Sequence, residues 1–155
     1  MFNFKAFAQT AIGRITGHTD ILEAYLAGGI GMAAADGRID REELEQVRAS
    51  AKADEFVTRL FSEDVIDSTM NKMVQKIKAS GMAAIDKELE DIAGEDDPIR
   101  HAVYLCIYKT AKADGVLDPA EVKMADKYAG LLNITPADKA GIEDSVDDNE
   151  IVFDF

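Results

Sequence analysis

A twelve-residue phrase occurs twice in this chain: Ala33-Ala34-Ala35-Asp36-Gly37-Arg38-Ile39-Asp40-Arg41-Glu42-Glu43-Leu44 and, 78 residues later, Ala111-Lys112-Ala113-Asp114-Gly115-Val116-Leu117-Asp118-Pro119-Ala120-Glu121-Val122. Six of the twelve positions are identical, and Ile39/Leu117 and Leu44/Val122 are near-equivalents. In each copy a helical run closes on Ala-Asp-Gly and a second helix opens on Asp, with Glu three positions on. An internal duplication of helix-turn-helix units therefore organises the chain.

The rest of the sequence extends this to an all-α fold. Apolar residues recur near every 3.6 positions, β-branched alternation is scarce, and Pro98, Pro119 and Pro136 all stand where helices begin. The periodicity predicts helices over 3–15, 20–36, 41–53, 55–61, 63–79, 82–93, 98–114 and 119–131, with a short one from 136. About eight helices are expected in all, one short helix of these nine merging with a neighbour. The expected architecture is a compact helical bundle in which the two units are related by an internal pseudo-twofold. Asp40 with Glu43, and Asp118 with Pro119 and Glu121, read as capping boxes; Ser62, Thr135 and the Asp97-Pro98 pair open other helices.

Length and charge narrow the class. At 155 residues and 47% hydrophobic content, one domain can bury roughly two-thirds of its unfolded surface without a disulfide or structural metal. The stretch from Ile21 to Ala35 is too short to span a bilayer, carries Glu23, and contains Gly28, Gly29 and Gly31; it reads as a buried helix whose glycines let neighbours approach closely. The N-terminus has no signal-peptide pattern, and the single cysteine, Cys106, sits in the apolar run from Val103 to Tyr108 as a small hydrophobe, which suits a cytoplasmic protein. A net charge of -13 repels phosphate backbones, so nucleic acid is not an expected partner.

Three segments differ in character. Residues 1–18 form an amphipathic helix with Phe2, Phe4, Phe7, Ala8, Ala11, Ile12 and Ile15 on one face, suited to packing on the bundle or to peripheral contact with a membrane or partner. Residues 19–142 are the helical domain. Residues 143–155 hold six acids, no base and a terminal Phe155, and read as an acidic tail.

The acidic turns admit two readings. Gly37 and Gly115 can end helices in the left-handed conformation while the Asp/Glu pairs cap the next ones. Capping leaves Asp36 and Asp114 unexplained, because an acid in a helix's last turn opposes the dipole. The second reading is a site for a hard divalent cation, Ca²⁺ or Mg²⁺, on Asp36, Asp40, Glu43, Asp114, Asp118 and Glu121. The spacing Asp-Gly-x-[Ile/Leu]-Asp-x-x-Glu matches positions 5 to 12 of an EF-hand loop, but Met32, Ala34, Thr110 and Lys112 occupy positions 1 and 3, so neither turn is a competent loop alone. Two half-sites brought together by the duplication would make one cluster.

This paired pattern, from about Thr19 to Ile142, resembles the TerB family of tellurite-resistance proteins. The resemblance implies a helical bundle with no catalytic activity and no organic cofactor, and a role in tellurite or chemical-stress resistance in the cytoplasm, at the inner face of the membrane. It implies a membrane-spanning Ter protein and TerD-type proteins as partners, and makes the six carboxylates candidate metal ligands. The alternative is a metal-free helical adaptor, or a co-chaperone-type interaction domain, whose acidic turns are helix caps. Enzyme motifs are lacking: there is no Gly-rich phosphate loop, no Cys/His metal spacing and no nucleophile motif, and His18 and His101 are isolated.

Overall fold

The computed structural model describes residues 18–113 and 115–147. The helix expected over 3–15, the candidate ligand Asp114, and residues 148–155 lie outside the described residues. Eight helices and no strand occur among the described residues: Thr19–Ala33 (α1), Arg41–Ala53 (α2), Glu55–Leu60 (α3), Glu63–Ser80 (α4), Met82–Asp91 (α5), Asp97–Lys112 (α6), Pro119–Leu131 (α7) and Pro136–Asp147 (α8).

The bundle is built round α1. Every residue from Ile21 to Met32 except Glu23 is buried, and α1 packs on α6, α5, α4, α2 and α7. A helix apolar on all sides has no solvent face to offer. Glu23 is accommodated at the edge, where Lys72 of α4 reaches it at 2.7 Å. Its principal neighbour α6 is likewise buried from Ile99 to Tyr108. The glycines permit this closeness: a Cβ on Gly28 would stand 2.8 Å from Ile107 Cγ1, and one on Gly31 would stand 2.7 Å from Tyr128 Cζ.

Helix ends follow the capping chemistry with local shifts. Ser62 accepts from the Val65 N–H, and Thr135 Oγ1 from the Asp138 N–H. The helix expected over 20–36 stops at Ala33, because the Ala35 N–H turns back to Met32 O and the Gly37 N–H to Ala34 O. The one expected over 98–114 runs from Asp97 to Lys112, and that over 82–93 stops at Asp91. Residues 143–147, placed in the tail by their charge, form the last turn of α8: Glu143 accepts from Tyr104 and pairs with Lys139, and Asp147 meets Tyr108 and Lys112 of α6. No described helix is long and apolar enough to cross a membrane.

Among the polar or reactive side chains that enter the core region are Cys106, Arg100 and His101 of α6. Cys106 is buried, which pushes its thiol well up and keeps it protonated. Arg100 ties three chain segments together, as described below. His101 is buried near the start of α6, with Nε2 3.5 Å from Asp138 Oδ2 of α8. Burial lowers the imidazole's pKa; Asp138 opposes this and neighbouring Arg100 adds to it.

The fold therefore prefers neutral His101, while in the unfolded chain it takes up a proton near pH ~6.5. The resulting stability is fully present above that pH and is lost as pH falls from there through the lower folded value. Urea unfolding between pH 7.5 and 5.5 should show stability falling with acid in the unaltered chain and a flatter profile in His101→Gln.

Candidate functional site

Both Asp-Gly turns share a left-handed glycine and a reciprocal cap on the following helix. In the first, Gly37 takes φ 104°, a left-handed conformation that glycine accepts without strain, and Asp36 Oδ1 accepts from the Arg38 N–H at 3.3 Å. Asp40 Oδ1 accepts from the Glu43 N–H at 2.8 Å, and Glu43 Oε1 accepts from the Asp40 N–H at 3.4 Å, a reciprocal cap on α2. In the second, Gly115 has φ 128°, Asp118 Oδ1 accepts from the Glu121 N–H at 2.8 Å, and Glu121 Oε1 accepts from the Asp118 N–H at 3.1 Å.

Asp36 needs a different account from the one its sequence position suggests. It lies three residues beyond α1, outside the last turn, so it does not face the helix dipole at close range. Its turn bond to Arg38 is a structural use of the side chain.

The two turns meet over one open cleft of about 170 Å³. Asp36 and Glu43 enter from the first turn, and Asp118 and Glu121 from the second. Gly29, Met32, Gln46, Val47, Thr110 and Ala111 are also part of the lining. Asp36 and Asp118 are exposed, and Glu43 and Glu121 are half-buried. Asp40 lines a neighbouring groove between α2 and α4, with Ile39, Leu44, Arg48 and Lys78. Four of the six candidate ligands thus border one space, Asp40 opens onto another, and Asp114 is outside the described residues. Among the described residues no three carboxylate, imidazole or thiol groups converge as an ion's ligand set. A carboxylate has two oxygens and about four lone-pair sites, so a cap bond through one oxygen does not exhaust its capacity to accept.

The cleft floor was not legible from the motif. Thr110 Oγ1 and the Tyr25 hydroxyl are hydrogen-bonded at 2.7 Å, so α1 and α6 are tied together beneath the carboxylates. Gln46 could have been found: it lies one turn after Glu43, on the same face of α2. Thr110 carried no signal, because its relation to Tyr25 spans 85 residues.

Central α1 and α6, each leaving through an Asp-Gly turn into a helix with a reciprocal cap, define an all-helical, paired-turn module. A family model for "Tellurite resistance protein TerB" matches residues 22–144. The chain belongs to the TerB family. No curated protein and no solved structure matches it.

Proposed function

We propose that this tellurite-resistance-associated module works without catalysis, by holding a divalent cation between its two Asp-Gly turns and presenting the loaded surface to protein partners. The observation that carries this reading is that acids from both turns border a single cleft. In a chain of net charge -13, grouped carboxylates repel one another, and a cation relieves that repulsion. Ca²⁺ and Mg²⁺ are the favoured ions because the donors are oxygens and both ions accept water in their shells, so four spaced carboxylates can be completed by solvent. Asp114 and Asp40 are the further candidates from the repeat. The family resemblance supports a membrane-spanning Ter protein and TerD-type proteins as the partners, in the cytoplasm at the membrane's inner face.

A second reading has its own support. Both capping boxes are complete with protein atoms alone, which suits a metal-free adaptor whose acidic turns meet a basic partner.

Thermal unfolding of the metal-stripped full chain separates the two. At 100 times the dissociation constant, Ca²⁺ or Mg²⁺ should add about 2.7 kcal/mol, raising Tm by roughly 5–10 °C for a domain of this size. Asp36→Asn with Asp114→Asn should abolish the shift while leaving basal stability near its original value, since the amide carbonyl introduced at position 36 still accepts from the Arg38 N–H. No shift with Ca²⁺, Mg²⁺, Mn²⁺ or Zn²⁺ overturns the cation reading and leaves the adaptor.

A further inference from the structure

The groove onto which Asp40 opens has about 490 Å³ of space, and none of its lining residues is buried. It lies between α2 and α4, which run antiparallel. Lys52 and Arg48 reach Asp67, Arg48 also reaches Asn71, and the same register continues past Leu44 and Val74 to Arg41 and Lys78. Ile39, Leu44 and Val74 are half-buried and pack on the core, so they give the groove an apolar floor. From Arg41 to Arg48 is about 10 Å along α2, room for two turns of a partner helix.

Its charge runs against that of the molecule around it. Arg41, Arg48 and Lys78 line it with only Asp40 and Glu45 opposing them, in a chain of 17 bases and 30 acids. Both acids are already engaged, Asp40 in the cap on α2 and Glu45 with Arg48 at 3.4 Å. Arg48 is itself held by Asp67 at 2.8 Å. Arg41 and Lys78, by contrast, are exposed at one end and make no ion pair among the described residues. Of the acids that follow Arg41 in α2, Glu43 borders the acidic cleft and Glu42 lines neither space.

We propose that this groove receives an acidic amphipathic helix of a protein partner, with apolar side chains on Ile39, Leu44 and Val74 and a carboxylate-bearing end against Arg41 and Lys78. Uncompensated cations beside an apolar floor select that chemistry. A net charge of -13 repels acidic segments from most of the surface, so a partner of this kind is steered to the place where its charge is answered. The proposal goes beyond the cation reading, because the groove is built from protein atoms whether or not the cleft is loaded.

The duplication supplies a comparison. Leu117 and Val122, the counterparts of Ile39 and Leu44, line a second groove of about 210 Å³ together with Lys112 and Lys139. There the cations are answered from within the chain: Lys112 pairs with Asp147 at 3.0 Å, and Lys139 with Asp126 at 2.9 Å and Glu143 at 2.6 Å. With its charges satisfied, that groove offers an acidic partner nothing beyond apolar contact. A second copy of this chain is the weaker occupant of the first groove, since two bodies of charge -13 repel. An anionic bilayer is weaker as well, because a floor recessed between two helices is out of reach of a flat surface.

Fluorescence anisotropy of the full chain in metal-free buffer tests the proposal. The probe is a labelled peptide of about 15 residues, long enough to hold a helix, with Leu at i, i+3, i+4 and i+7 and Glu in its first two turns. It should bind, and binding should weaken as salt is raised. Affinity should fall about tenfold in Arg41→Glu with Lys78→Glu, and as much when Gln replaces every Glu of the peptide. Val116→Asp, in the second groove, should bind like the unaltered chain. No binding of the acidic peptide, or equal affinity in the double variant, overturns the proposal. If circular dichroism shows that the double variant has lost its fold, methyl resonances of the unaltered chain decide. Those of Ile39, Leu44 and Val74 should shift on titration with peptide; shifts confined to Val116 and Val122, or none, overturn it. Sedimentation showing a dimer that the double variant dissolves would overturn it in favour of a second copy, and binding to phosphatidylserine vesicles without binding of the peptide would do so in favour of a membrane.

Discussion

Arg100→Met should lower the unfolding free energy by about 2–3 kcal/mol, the cost of leaving the buried Leu132 carbonyl and two part-buried carbonyls without their donor. Arg100 is 9% exposed on α6, and its guanidinium donates to Glu95 O at 2.8 Å, to Leu132 O at 2.9 Å and to Asn133 O at 2.8 Å, and pairs with Asp97. The carbonyls at Leu132 and Asn133 belong to the corner after α7. There the Asn133 N–H bonds to Gly130 O, the Ile134 N–H to Ala129 O, and Asn133 takes φ 55°. This is a Schellman ending with Asn in the left-handed position. It turns inward on Ile134, and Arg100 holds it from the other side. Methionine fills the volume and supplies no donor. Denaturant unfolding of the full chain should show the midpoint falling with the slope unchanged. Arg100→Lys should recover only part, because an ammonium lacks the planar fork that serves carbonyls in different directions.

The second large effect is at Gly31. Alanine there gains about 1 kcal/mol of helix propensity, yet the new methyl would press on the ring of Tyr128, which is fully buried and has nowhere to retreat. Against a ring that cannot move, overpacking falls at the top of the usual range of about 1–3 kcal/mol, so Gly31→Ala should lose up to about 2 kcal/mol net. The Tyr128 hydroxyl has no hydrogen-bond partner among the described residues; burial pushes its pKa up, and nearby Asp86, whose Oδ1 is also unpaired, adds to the shift. Tyr128→Phe should therefore be neutral or gain about 1 kcal/mol, since a buried unsatisfied group is removed. The double variant should recover part of the Gly31→Ala loss, giving a favourable coupling of roughly 1 kcal/mol between these contacting residues. Additive losses would show that the ring moves aside.

For the cation reading, the decisive property is the spacing of the four carboxylates round the cleft. Each is already useful to the fold: Asp36 to its turn, the other three to their caps. Substitutions to Asn or Gln keep an acceptor while removing the charge, so they separate electrostatic from structural use more cleanly than alanine does.

How much of this is readable beforehand depends on distance along the chain. The capping boxes at Asp40 and Asp118 are legible because donor and acceptor lie three residues apart, and local backbone geometry alone brings them together. The burial of α1 is legible because a run that is apolar on every face has one stable environment. The last turn of α8 reads as tail for the opposite reason: Glu143 and Asp147 look like solvated charge until Tyr104, Tyr108 and Lys112, more than thirty residues upstream, are seen to receive them. His101 and Arg100 are hidden in the same way, by the arrival of α8 and of the α7 corner beside α6.

By itself, then, the sequence determined the helices, their caps, the family and the twin acidic turns, since each is written in spacings of a few residues or in a pattern copied along the chain. Only the tertiary structure decided that Asp36 and Glu43 share a cleft with Asp118 and Glu121 while Asp40 opens elsewhere. It alone tied Tyr25 to Thr110 beneath that cleft. Such placements depend on how buried helices cross, and crossing is governed by side-chain volumes and close approaches, such as Gly28 on Ile107 and Gly31 on Tyr128, summed over residues far apart in the chain.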